Sequence, residues 1–316
     1  MAGSGGQSAG RTGEPGQPDG RIVDLLGRSD SFSVELWPPR TPEATARLER
    51  ALGEIVPLGP AFTTITYGAG GSTRDRTHDL VVRLHREGSV SMAHLTCAAH
   101  TRGELVDILE RYRDEGVANI LALKGDPPLD SPGPLPAGEL AHAVELAELA
   151  KEAGDFCVAV AAHPEGHPEA PDIATDRRHL VEKMRIADFA VTQFFFDVGA
   201  YLSLVDDLSA AGISKPVLPG IMPITKFGVV ARMAQLSGTT VPTPLAARLE
   251  QVAGDGAAVR RIGVEVAVDL GARLIEEGVP GLHFYTMNDA AATVEIVHAL
   301  GLGNAAALPE PPASGA

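Results

Sequence analysis

The chain has 316 residues, 44% of them hydrophobic, and a formal charge of −15 at pH 7. That acidity argues against a nucleic-acid or polyanionic partner, because phosphate binding needs a basic stripe to displace counterions. No apolar run approaches the roughly 20 residues that span a bilayer, and the N-terminus lacks the basic-then-apolar order of a signal peptide. These features together read as a cytoplasmic protein with a small ligand, neither membrane nor nucleic acid being a partner.

Residues 1–20 are rich in Gly, Ser and Pro and have almost nothing to bury, so chain entropy predicts a disordered tail. The stretch 304–316 has the same character. Everything from 21 to 303 reads as one compact unit in which short apolar runs alternate with amphipathic stretches. The predicted strands are FSVEL (32–36), FTTITY (62–67), SMAHLTC (91–97), NILALKG (119–125), FCVAVAA (156–162), FAVTQFFF (189–196), VLPGIMP (217–223) and LHFYTM (282–287). Between them, stretches such as TPEATARLERALGEIV and TRGELVDILERYRDEG repeat Leu, Val and Ile at three- and four-residue steps, as helices do.

Strand followed by helix, eight times, implies parallel strands joined by right-handed crossovers. The fold class is therefore α/β, with a closed (β/α)8 TIM barrel as its natural form; about 250 residues are typical of that barrel. The gap before the eighth strand is about twice the others, which predicts an extra helix near TPLAARLEQV. An open doubly wound sheet is the competing fold, but it ordinarily shows a Gly-rich turn after its first strand, where this chain has LWPPR. Cys97 and Cys157 sit in apolar runs without C-x-x-C spacing and read as buried thiols.

Barrel chemistry gathers where strands end. The polar residues there are Glu35; Thr66 and Tyr67; His94 and Thr96; Lys124, Gly125 and Asp126; His163, Glu165 and His167; Gln193; and Tyr285 with Asn288. Alternation puts Phe32, Val34 and Leu36 on one face of the first strand and Ser33 and Glu35 on the other. Glu35 is then either half of a buried ion pair, with Lys124 or an arginine, or an acid placed for a reaction. His94 is either a core histidine or a ligand, and Gln193 can simply satisfy backbone groups beneath FFF. His163 and His167 lie four apart, a metal-binding spacing on a helix, but Pro164 and Pro168 break any helix and leave a loop. No metal is expected.

Taken together, FSVELWPPRT, TYGAGGSTRDRT, AHLTC, LALKGDPP, HPEGHPEA, TQFFFD, PGIMPI and LHFYTMN resemble, in order from about residue 31 to 300, the methylenetetrahydrofolate reductase family. The resemblance implies an enzyme that uses FAD and a nicotinamide co-substrate, NADH or NADPH, to reduce 5,10-methylenetetrahydrofolate to 5-methyltetrahydrofolate in two half-reactions. It places Glu35 as general acid, Asp126 beside the flavin and the pterin, Gln193 against folate and helping to position the acid, and Tyr285 against folate. By the same matching, Thr66, Tyr67, Ala69, His94, Lys124, Gly125, Asp126, His163, His167, Ala170, Asp176 and Lys183 line the FAD site, Thr66 also touching the nicotinamide nucleotide. A homo-oligomer is common in the family.

Departures from the family pattern are Lys124 for arginine, His163 for tyrosine, Val229 and Asp289 where relatives carry folate-contacting glutamine and arginine, and a loop, 134–140, without its usual aromatic. They point to weaker attraction for folate and flavin. Two other readings follow. One is a flavin-dependent oxidoreductase of the same barrel acting on another cyclic amine or iminium; the other is a non-catalytic paralogue that binds folate or nucleotide.

Overall fold

A computed structural model of the chain describes residues 20–28, 30–68, 73–125 and 137–304. Eight strands run in chain order: β1 (Phe32–Leu36), β2 (Phe62–Ile65), β3 (Ser91–Thr96), β4 (Asn119–Leu123), β5 (Cys157–Ala162), β6 (Phe189–Phe194), β7 (Val217–Ile221) and β8 (Leu282–Tyr285). Each pairs in parallel with its sequence neighbours, and β8 pairs with β1, closing the barrel. The expected (β/α)8 barrel is the fold observed.

The crossover helices are α1 (Pro42–Ile55), α2 (Arg74–Arg86), α3 (Arg102–Asp114), α4 (Ala143–Ala153), α5 (Ile173–Ile186) and α6 (Val198–Ala210). The long gap before β8 holds α7 (Phe227–Ser237), α8 (Thr243–Gln251) and α9 (Gly256–Glu276), and α10 (Ala290–Leu300) follows the last strand. α8 is the additional helix expected at TPLAARLEQV. Thr41 caps α1, its hydroxyl accepting from the Ala44 N–H at 3.2 Å, with Pro42 at the first helical position where a missing N–H does no harm. Thr101 and Glu104 form a reciprocal capping box at the start of α3. No helix among the described residues is long and apolar enough to cross a membrane.

Strand alternation divides the core in two. Phe32, Val34 and Leu36 of β1 face outward into the layer shared with the helices, while Phe62, Met92, Leu121, Cys157, Phe189 and Leu218 fill the barrel's lower interior. Ile22, in a short 3-10 helix (Ile22–Leu25), plugs the bottom. Asn119 fixes this plug, its Oδ1 accepting from the Ile22 N–H at 2.8 Å and its Nδ2 donating to the Gly20 carbonyl at 3.1 Å. Higher up, the interior turns polar: Ser33 Oγ lies 2.8 Å from His283 Nδ1, and the His283 ring stacks on Phe62. The barrel is sealed and apolar below and polar towards the strand ends. Cys97 and Cys157 are both free and buried.

Candidate active site

Glu35 takes the inward position that alternation assigns it. Its register partners are Thr64 on β2 and Tyr285 on β8, so the three lie at one level of the barrel. Its side chain is 13% exposed. Lys124 is not its partner: Lys124 Nζ bonds Glu169 in the β5–α5 loop at 2.7 Å. The groups around Glu35 are instead the Trp37 indole, donating to Oε1 at 3.2 Å, and His94, whose Nε2 is 3.8 Å from Oε2. Burial lifts the Glu35 carboxyl to about 7, the Trp37 hydrogen bond pulling the other way. Burial likewise pushes His94 down to about 3, so its imidazole is neutral. Glu35 is therefore a carboxyl without a cationic partner among the described residues, poised to hold or release a proton near neutral pH.

Tyr285 crosses the mouth from β8. Its hydroxyl donates to the Thr192 carbonyl at 2.5 Å, and its ring lies on Gly220, where an added Cβ would come within 2.6 Å of ring carbon Cε2. Gln193, on β6, does not reach Glu35 by any hydrogen bond among the described residues. Its amide oxygen accepts from the Phe194 N–H at 3.0 Å, and its side chain borders a shallow pocket with His163, Glu165 and Thr239.

The β4–β5 side gathers the basic groups. His163 and His167 meet edge to face, ring centroids 4.7 Å apart. Burial, then the neighbouring His167, Lys183 and Arg177, hold His163 down at about 3. His167 Nδ1 accepts from the Glu169 N–H at 3.1 Å, and the Ala170 N–H donates to the His167 carbonyl. Lys183 donates to the Ala161 carbonyl at 2.6 Å and is lowered to about 8 by burial, against the opposing charge of Asp176. Among the described residues no group of three or more His, Cys, Asp or Glu is placed to hold a metal.

At the β2 end Thr66 is half-buried, its carbonyl accepting from Thr77 Oγ1 at 2.9 Å. Tyr67 is buried. His100 Nδ1 lies 2.6 Å from the Ala98 carbonyl and must donate there, so Nε2 is free to accept from the Tyr67 hydroxyl at 2.9 Å. Gly125 has φ of 97° and packs against Thr96 and Ala98, where a Cβ would meet both side chains at 3.0 to 3.1 Å. Ala69 and Asp126 lie outside the described residues, as does the first part of the 134–140 loop. Val229 is partly exposed on α7, and Asp289 stands at the start of α10 without a capping bond from its side chain.

Two contributors escaped the sequence reading. Arg177, 7% exposed, donates to the carbonyls of His163 (2.9 Å) and Pro164 (2.7 Å) and to Asp207 (3.1 Å), holding the histidine loop in place. Trp37 was visible only as part of a motif. A buried arginine in a helix that begins near a functional loop is the signal that would have found the first; the second depends on a contact with Asn288, far away in sequence.

Comparison with known proteins follows the same lines. A family model described as methylenetetrahydrofolate reductase matches residues 22–301. The 5,10-methylenetetrahydrofolate reductase of Salmonella typhimurium is 38% identical over 283 residues, covering 89% of this chain and 94% of the relative; that of Escherichia coli strain K12 is 37% identical over the same length and shares. Methylenetetrahydrofolate reductase (NADH) 1 of Arabidopsis thaliana is 36% identical over 286 residues, 86% of this chain but 48% of the plant protein. In fold, the chain is similar to a Clostridium thermocellum protein described as binding two copies of 5-methyl-5,6,7,8-tetrahydrofolic acid, with a TM-score of 0.61 at 13% identity over 89% of this chain and 96% of that one. With the matched family model spanning nearly the whole barrel, the chain belongs to the methylenetetrahydrofolate reductase family.

Proposed function

We propose that this chain reduces 5,10-methylenetetrahydrofolate to 5-methyltetrahydrofolate with NADH or NADPH, through bound FAD, and that Glu35 is the acid of the folate half-reaction. The observation that carries this reading is the Glu35 carboxyl: inward, nearly enclosed, without a cation beside it among the described residues, and lifted by burial to about 7. An acid that protonates a departing nitrogen works best when its pKa lies near the working pH.

The residues at the mouth fit a flavin nucleotide. Thr64 Oγ1, Thr96 Oγ1 and His94 Nε2 are buried without hydrogen-bond partners in the protein, and buried polar atoms of this kind call for a ligand or water. Lys124, Lys183, His163 and His167 supply donors for phosphate or ribityl oxygens. Thr66, Tyr67, Ala69, His94, Lys124, Gly125, Asp126, His163, His167, Ala170, Asp176 and Lys183 would hold it. Bound there, FAD would take a hydride from the reduced nicotinamide and pass it to the one-carbon unit of folate.

The chain's own part is proton and charge management. Glu35 delivers its proton to the folate nitrogen that leaves the methylene bridge, which opens the ring to an electrophilic iminium. Asp126, which lies outside the described residues, is the one the family resemblance sets beside the flavin and pterin, where its negative charge would disfavour further negative charge. Tyr285, fixed between Thr192 and Gly220, offers a rigid aromatic wall for the pterin. Gln193 would have to leave its bond to the Phe194 N–H to touch the substrate.

The test is spectroscopic. The purified full-length protein, mixed anaerobically with reduced nicotinamide, should lose its flavin absorbance and regain it on adding 5,10-methylenetetrahydrofolate. Loss without recovery would favour another cyclic amine or iminium as substrate, and a colourless protein that takes up no FAD would end the reading.

A further inference from the structure

The chain contains a single tryptophan, Trp37, and the fold goes to some length to place it. Asn288 brackets its backbone, Oδ1 accepting from the Trp37 N–H and Nδ2 donating to the Trp37 carbonyl, both at 2.8 Å. Thr286 Oγ1 donates to the Glu35 carbonyl at 2.7 Å and accepts from the Asn288 N–H at 3.2 Å. To reach these positions Met287 and Asn288 adopt φ of 52° and 56°, a left-handed region that is unfavourable for Met and better tolerated by Asn. The β8 end thus clamps the β1 end, and the indole N–H comes to rest on Glu35 Oε1 at 3.2 Å.

The geometry points to Trp37 as the positioning residue of Glu35: its N–H holds Oε1 and leaves the acid's proton on Oε2. An indole nitrogen can only donate. In the protonated acid the oxygen that accepts from it is the carbonyl oxygen, so the hydroxyl is Oε2, the oxygen turned toward His94. In the ionised acid the same bond becomes charge-assisted and stronger, so it opposes the upward pull of burial. The other groups facing Glu35 are His94 from β3, Thr64 from β2 and Tyr285 from β8. Burial keeps His94 neutral, and burial, then the Glu35 charge, raises the Tyr285 phenol well above its usual range. None of the three brings a charge to bear near neutral pH. This inference rests on the reading of Glu35 as the folate acid.

Because Trp37 is the sole indole, its emission reports the contact without turnover. Emission of the full-length holoenzyme should change sigmoidally with pH, with a midpoint near 7, and the change should vanish in Glu35→Gln. Trp37→Phe keeps an aromatic ring and removes the donor. Its folate half-reaction, which falls as pH rises through the acid's pKa, should fall about one unit later than in the wild type. Emission that is flat through neutral pH, or that titrates equally in Glu35→Gln, overturns the inference, as does a Trp37→Phe pH profile that has not moved. A folate step indifferent to Glu35→Gln overturns the assignment of the acid as well, so the two failures are told apart.

Discussion

Glu35 and His94 face each other in the upper barrel with 3.8 Å between Oε2 and Nε2, and they do not form an ion pair. Burial moves their pKa values in opposite directions, to about 7 and about 3, so that between these limits both groups are neutral. Such separation is how one cavity keeps a protonated acid next to an uncharged imidazole.

The raised carboxyl has a consequence for stability. Between about pH 4.5, its ordinary value, and about 7, folded Glu35 holds a proton that the unfolded chain has lost. Stability therefore declines as pH rises through that window, by roughly 3 kcal/mol for a shift of this size. Glu35→Gln removes the titration. Urea denaturation should find the variant more stable than the wild type above neutral pH by up to that amount, with the advantage shrinking towards pH 4.5. An advantage independent of pH would show that Glu35 is not titrating as the fold implies.

Histidines act in the opposite sense. His94 and His283 are held near 3, by burial in both and for His283 also by His94; His163 is held there by burial and its basic neighbours. Below about 6.5 the unfolded chain takes up protons that these rings refuse, so stability falls on acidification. With Glu35 counted against the three, a net uptake of roughly two protons on unfolding is expected from these groups between about pH 4.5 and 6.5. Unfolding midpoints measured across that range give the number; a midpoint that rises on acidification would contradict it.

Gly220 and Tyr285 form a close-fitting contact. A Cβ at 220 would stand 2.4 Å from the Thr192 carbonyl oxygen as well as 2.6 Å from the tyrosine ring, so Gly220→Ala must displace one or both. A loss of about 1–3 kcal/mol in stability and a raised KM for folate are expected. Tyr285→Phe removes only the hydrogen bond to Thr192, and a loss of about 1 kcal/mol is expected. Thermal unfolding and folate kinetics on both variants separate the effects, and equal damage from the two would contradict the packing argument.

Arg177 is predicted to be irreplaceable by lysine. Its planar fork spans the carbonyls of His163 and Pro164 while Nε bonds Asp207, and a single ammonium cannot meet all three. Arg177→Lys should lose about 2–3 kcal/mol and release flavin more readily during gel filtration than the wild type. Full flavin retention would mean the loop does not depend on it.

The barrel was legible because each strand is buried on both faces and reads as a compact apolar run between turns; the predicted strands contain the observed ones. Glu35 stood out for a related reason, since a charged residue on a buried strand breaks that pattern. Other features were hidden by sequence distance. Trp37 and Asn288 are separated by 251 positions, and no local pattern announces the clamp between them. The same holds for Arg177 and the histidine loop. Matching by family also says which position, not which way a group points: Tyr67 turns its hydroxyl onto His100, and Gln193 bonds its own neighbour. For Gln193 the plain reading, an amide satisfying nearby backbone, describes the side chain as it stands.

The most direct test of Glu35 is anaerobic stopped-flow spectroscopy of Glu35→Gln in each half-reaction. Removing the proton donor should slow flavin reoxidation by 5,10-methylenetetrahydrofolate by about a hundredfold or more, while flavin reduction by the nicotinamide stays within a few-fold of wild type. Equal loss in both half-reactions, or reoxidation at the wild-type rate, would contradict the account.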